Sequence, residues 1–142
     1  MKISTKGRYA LRTLVDLAQH SEEGLVPLKD VAARQGLSQK YLEQIVTVLS
    51  KAGLLNGVRG PQGGYKLVRN PSEYNMAEVL EVIEGSLAPV VCLDSDTNTC
   101  ERCDTCATVE MWSGLYKAMT DYLTGITLQD LVDKANRANL DI

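Results

Sequence analysis

The chain has 142 residues, 44% of them hydrophobic and 23% charged, enough to build one sizeable core with an appendage but not two full domains. No stretch approaches the roughly 20 apolar residues that span a bilayer, and no apolar export core follows the first lysines, so the composition excludes a membrane-spanning or disordered chain and predicts a soluble, cytoplasmic protein. The net charge of -3 is unevenly spread: residues 1–69 hold 11 Lys/Arg against 5 Asp/Glu, and residues 70–142 hold 4 against 13, so any contact with a polyanion such as DNA belongs to the first half.

Residues 5–20 read as a helix with a wide apolar face that includes Tyr9, Leu11, Leu14 and Leu17, started by Thr5 as the expected cap. Pro27 marks a second, short helix that ends near Gly36, a residue suited to the left-handed cap. Ser38 caps a third helix, 38–52, on which Leu42, Ile45, Val46 and Leu49 fall at i, i+3, i+4 and i+7. Gln39, Lys40, Glu43, Gln44, Thr47, Ser50 and Lys51, all polar, spread over an arc of about 140° on the opposite side. A short helix, a tight turn and an amphipathic helix make a helix-turn-helix.

Leu54-Leu55 and Lys66-Leu67-Val68 then read as short strands around the glycine-rich loop VRGPQGGY, a wing with Arg59 near its tip beside Gly60. Asn75 and Glu78 form a capping-box pattern for a helix that Gly85 stops. Residues 86–104 show no periodicity. Beyond them Val109, Trp112, Tyr116, Met119 and Leu123 are spaced 3, 4, 3 and 4 residues apart, the seam of a helix pair, which predicts a homodimer. Thr127 and Asp130 form a capping box for a terminal helix near 128–138 that packs back on the body. The expected architecture is mainly α with a small β wing: a winged helix-turn-helix over 1–85, a cysteine-bearing loop over 86–106, and a dimerisation helix plus C-terminal helix over 107–142.

A polar helix face alone is usually only solvated, and a glycine-rich loop alone is usually only a hairpin. Their coincidence with a basic half points to double-stranded DNA. Glu43 and Gln44 are candidates for base edges, because glutamate accepts from cytosine N4 and glutamine pairs with adenine. Ser38, Lys40 and Tyr41 suit phosphates, and Arg59 suits a minor groove, where Gly60 lets the backbone come close. A winged helix used only for protein contact would ignore changes at these positions. No acid-base constellation or second cofactor motif supports an enzyme.

Cys92, Cys100, Cys103 and Cys106 have 7, 2 and 2 residues between them. A reducing cytoplasm disfavours disulfides and leaves metal binding or thiol chemistry. Zinc prefers two separated knuckles, whereas these pairs overlap on Cys103 with no histidine near. An iron-sulfur cluster takes thiolates readily from such a loop, and a bare thiol switch is the other reading.

The opening MKISTKGRYAL, YLEQ at 41–44, the wing VRGPQGGY and the cysteine loop followed by ITLQDLV resemble the iron-sulfur cluster regulator IscR family of bacterial repressors over essentially the whole chain. The resemblance implies a winged-helix homodimer on a partly palindromic operator, a 2Fe-2S cluster that alters DNA affinity, iron-sulfur assembly proteins as cluster donors, and control of cluster-biogenesis genes. It also implies that Glu43, Gln44 and Arg59 match DNA-reading positions. A regulator of the same fold sensing nitric oxide, redox state or cysteine status is the alternative. Family members carry three cysteines, a histidine three residues after the third and a tryptophan three further on. Counted back from Trp112, Cys92, Cys100 and Cys106 match those cysteines, Val109 stands at the histidine position, and Cys103 has no counterpart. The fourth ligand then falls to Cys103, Glu110 or the partner subunit's first helix.

Overall fold

In the computed structural model, which describes residues 2–95, 97 and 100–140, helix α1 (Thr5–Gln19) is the axis against which the rest is packed. Its apolar spacing buries Ala10, Leu14 and Leu17 completely, and each such leucine contributes roughly 1.5–3 kcal/mol of hydrophobic stabilisation. The cap of α1 is Ser4, not Thr5. Ser4 has the extended backbone a cap requires, and its hydroxyl accepts the Gly7 amide at 3.0 Å, whereas Thr5 is already helical. Ser4 also donates its amide and hydroxyl to one Glu84 oxygen at 2.9 and 2.8 Å, tying the start of α1 to the end of α4 (Met76–Glu84).

Helix α2 (Leu28–Gln35) follows Pro27 and ends at Gly36, whose φ of 65° is the left-handed conformation that glycine takes without strain. Asp16 of α1, 1% exposed, is held from this helix by Nε and Nη2 along one edge of the Arg34 guanidinium, at 2.7 to 3.2 Å, and by the Gln35 amide at 3.0 Å. Helix α3 (Gln39–Lys51) is capped by Ser38, whose hydroxyl accepts the Tyr41 amide at 3.1 Å, and it buries the expected Leu42, Ile45, Val46 and Leu49.

Strands β1 (Leu55–Val58) and β2 (Gly64–Leu67) pair antiparallel from Leu55↔Leu67 to Val58↔Gly64. The ladder runs nearer the tip than residue preference indicates, because Gly57 and Gly64 carry it where β-branched residues do not. Val26 adds an isolated bridge on the other side of β2 by exchanging two backbone hydrogen bonds with Tyr65 at 3.0 and 2.9 Å. A Cβ on Gly64 would stand 2.5 Å from the Val26 oxygen, so this crossing requires glycine.

Asn75 caps α4 through Glu78 N–H at 2.8 Å, but the reciprocal half of the expected box is absent: the Glu78 carboxylate pairs with Arg69 instead. Helix α5 (Val109–Thr124) has no buried residue; its five seam positions are half-buried, and Met111 and Tyr122 stand 56% and 70% exposed. Thr127 and Asp130 make a reciprocal capping box at 2.9 and 3.1 Å for α6 (Leu128–Leu140), which returns to α1 and places Leu128 and Val132 in the main core. The element order is therefore three helices, a wing, and three further helices, as the sequence predicts. The outer ends of the expected spans (residues 1, 141 and 142) and loop residues 96, 98 and 99 lie outside the described residues. Among the described residues no helix is long and apolar enough to cross a membrane.

Candidate DNA interface and cysteine loop

The polar face of α3 and the wing open onto one cleft of about 700 Å³, lined by Gln39, Glu43 and Thr47 from α3, Arg59 and Gly60 from the wing, and Lys29 from the first turn of α2. Three segments distant in sequence thus share one concave, polar surface. Glu43 and Gln44 are both exposed on α3, Glu43 facing the cleft and Gln44 one position round the helix from its lining. Glu43 is steadied only through its carbonyl, which accepts the Thr47 hydroxyl at 2.6 Å. Among the described residues Lys40 and Arg59 form no ion pair, so their charges are not spent within the fold. Gly60 takes a φ of 114°, and a Cβ on Gly63 would come within 1.9 Å of the Val58 oxygen, so the turn behind Arg59 depends on glycine.

Two of the expected phosphate contacts are partly committed to the fold. The Ser38 hydroxyl is the cap of α3, and the half-buried Tyr41 ring stands edge-on to Tyr9 at 5.8 Å. A hydroxyl that accepts one N–H still has a proton to donate, so the Ser38 cap and a phosphate contact are compatible. Gln39 and Thr47 belong to the polar arc that the sequence predicts for α3, without a contact assigned to them, whereas Lys29 lies outside it. Lys29 had a signal: a cation in the first turn of a helix, where the dipole favours anions, is misplaced for stability and suited to an anionic ligand.

Among the described residues around the cysteines, the chain forms a 3₁₀ turn at Val91–Leu93 and tight turns closed by Cys103 N–H to the Cys100 carbonyl at 3.1 Å and Thr105 N–H to the Arg102 carbonyl at 3.0 Å. All four are free of disulfides; Cys92 and Cys103 are half-buried, Cys100 and Cys106 exposed. A hydrogen bond with the Thr108 hydroxyl, at 3.3 Å, holds the Cys106 thiol below the usual range. Partial burial and the adjoining Asp104 carboxylate push Cys103 above it. Among the described residues no three His, Cys, Asp or Glu side chains converge on a common point. The donor chemistry nevertheless fits a thiophilic centre: four cysteines in 15 residues, an apolar Val109 and an exposed Glu110 at the start of α5.

The sequence model of the Rrf2 family, described as an iron-dependent transcriptional regulator, matches residues 3–134. Curated relatives include the HTH-type transcriptional regulator IscR of Photorhabdus laumondii, 41% identical over 142 residues covering 100% of this chain and 84% of the relative. That of Pectobacterium atrosepticum is 40% identical over 140 residues, covering 99% and 84%. Among solved structures, T. potens IscR superposes with a TM-score of 0.77 at 42% identity, covering 97% of this chain and 90% of that one. CymR, the global cysteine regulator of B. subtilis, superposes with a TM-score of 0.76 at 36% identity, covering 94% and 98%.

Proposed function

This chain belongs to the Rrf2 family of winged-helix transcriptional regulators, and from that premise we propose that it is an iron-sulfur-sensing repressor that binds operator DNA as a homodimer. The observation that carries the reading is the shared cleft: base-reading candidates on α3 and an unpaired wing arginine face the same concave surface, as reading a major groove and the adjacent minor groove requires. Glu43 and Gln44 address base edges. Ser38, Lys40 and Tyr41, joined by Lys29, address phosphates, and Arg59 with Gly60 enters the minor groove.

Two copies meet along α5, whose seam lacks burial within one chain; sixteen residues of half-covered helix with exposed Met111 and Tyr122 are stable only when a second apolar face covers them. On this division residues 1–85 read DNA, 86–106 sense, and 107–142 dimerise.

Cys92, Cys100 and Cys106 would hold a 2Fe-2S cluster, with Cys103 as the fourth donor in place of the apolar Val109. When bound, such a cluster supplies metal-thiolate bonds and a reversible one-electron couple. Bringing those thiols together requires segment 92–106 to close, and Cys106 lies three residues before α5 begins, so closure acts on the N-terminal end of the dimer helix. Selecting one dimer geometry from a mixed population needs several kcal/mol of differential stabilisation, which ligation of the loop by a cluster would supply against the entropy cost of ordering it.

The test is anaerobic purification with iron and sulfide counts and absorption spectra on wild type and Cys103→Ala. About two iron and two sulfide per chain with visible charge-transfer bands support the reading, and their loss in Cys103→Ala assigns the fourth ligand. Colourless protein after full reconstitution refutes the cluster and leaves a thiol- or cysteine-responsive regulator.

A further inference from the structure

We propose that Tyr74 is the positioning residue of the wing, and that it joins the wing to the corner between α5 and α6 so that the cysteine-bearing half of the chain sets where Arg59 points. The inference rests on the assignment of the wing to DNA. Tyr74 is completely buried, and its hydroxyl is fully used: it donates to the Leu54 carbonyl at 2.7 Å and accepts the amides of Val68 at 3.0 Å and Arg69 at 3.3 Å. Leu54 immediately precedes β1, and Val68 and Arg69 immediately follow β2. Both feet of the hairpin therefore hang from one oxygen.

The second foot is gripped again, because Arg69 stacks over the Tyr74 ring at 4.5 Å, donates to the Glu73 carbonyl at 3.0 Å and pairs with Glu78 of α4 at 2.9 Å. A hairpin of four-residue strands is about 13 Å long. A tilt of about 10° at its feet thus moves the tip by about 2 Å, more than the tolerance of a hydrogen bond.

The backbone of the same residue faces the other half of the chain. The Tyr74 carbonyl accepts the Leu128 amide at 2.9 Å and the next amide but one, Met76, donates to the Ile126 carbonyl at 3.0 Å, so Asn75 and Thr127 pair as an isolated two-stranded bridge. That bridge sets the caps of α4 and α6 side by side, directly after the end of α5. A displacement of α5 that carries Ile126 with it is transmitted to Tyr74 through two backbone hydrogen bonds, and from its hydroxyl to both feet of the wing.

The test is a double-mutant cycle between Tyr74→Phe, which keeps the ring and its stack with Arg69, and Arg59→Ala. Affinity is read on a 30-base-pair duplex selected from a random library by the wild-type protein, and melting is followed alongside. Tyr74→Phe is expected to weaken binding about tenfold in the wild-type background and by no more than about twofold beside Arg59→Ala, since the hydroxyl acts through the arginine it aims. Amide exchange in the DNA-free variant is expected to rise in 55–67 and at 126–128 while α1 and α3 stay protected. Equal losses in both backgrounds, or exchange spread over the whole core, overturn the proposal and leave the DNA assignment standing. An Arg59→Ala variant with wild-type affinity removes the DNA assignment of the wing itself and the positioning role with it. Should Tyr74→Phe not fold, Glu78→Gln, which loosens the same foot from a partly exposed position, is expected to show the same dependence on Arg59 with a smaller loss.

Discussion

Removing Arg34 is expected to cost more stability than removing the carboxylate it holds, although each change breaks the same ion pair. Asp16 is 1% exposed and Arg34 33% exposed, so the two partners face different fates when left alone. In Arg34→Ala the Asp16 carboxylate keeps only the Gln35 amide and the neighbouring His20 ring, whose Nδ1 is 3.7 Å away. An underpaired buried charge costs about 3 kcal/mol, the low end of the range for broken buried pairs because one good donor remains. In Asp16→Ala the guanidinium rotates into water, and the loss is about 1–2 kcal/mol for the hydrogen bonds and a small void, offset in part by alanine's helix preference. For a domain of this size each kcal/mol lowers the melting temperature by about 3 °C, so the expected drops are about 9 °C for Arg34→Ala and about 3–6 °C for Asp16→Ala. Asp16→Ala/Arg34→Ala should be more stable than Arg34→Ala alone, since the stranded charge is gone. Urea unfolding and thermal melts of the three variants decide the matter. If Asp16→Ala is the more damaging single change, or the double variant adds both losses, the burial of a charge is not what makes this α1–α2 joint costly to break.

Gly64→Ala forces a methyl group against the Val26 carbonyl and should cost about 2 kcal/mol, with amide exchange rising first at Val26 and Tyr65; an unchanged melt would show that the Val26–Tyr65 bridge carries no weight. In metal-free protein the Cys106 thiol lies below its usual range and Cys103 above, so as pH rises from about 7 toward 9 the Cys106 thiolate forms first. Iodoacetamide followed by peptide mass spectrometry should therefore label Cys106 before Cys103, and Thr108→Ala should narrow the lead without removing it, since Asp104 still holds Cys103 back; prior labelling of Cys103 would contradict the local hydrogen bond. Lys40→Ala should weaken binding to all duplexes similarly and lower the salt-dependence slope by about 1, whereas Glu43→Ala should change which base is preferred; identical behaviour of the two variants would undo the division between phosphate and base contacts.

Much of this fold is written in local rules. Leu42, Ile45, Val46 and Leu49 announce α3 and its buried side, Ser38 its start, Gly36 the turn before it, and Thr127 with Asp130 the start of α6, because periodicity and caps are properties of neighbours in sequence. What sequence hides is contact between distant residues. The choice of Ser4 over Thr5 as cap depends on Glu84, and the half-formed box at Asn75 depends on Arg69 drawing Glu78 away. The Val26 bridge is a single residue with no strand around it. At the proposed DNA face the α3 and wing residues are legible from polarity and glycine content, but Lys29 joins them only through the packing of α2 on α3. The cysteines declare themselves by clustering, and the arrangement of their sulfurs does not follow from spacing on an irregular segment.

Leu128 and Val132 belong to the same core as Leu14 and Leu49. The last helix is thus a structural plug for the first half of the chain, and the proposed DNA-reading half is not a detachable module. A fragment ending at residue 85 would present the hole that α6 fills to solvent. Grafting another sensor after the wing would have to supply an equivalent stopper. On the proposed division of labour, a new signal is more simply reached by rewriting the loop between α4 and α5 in place than by exchanging everything after the wing.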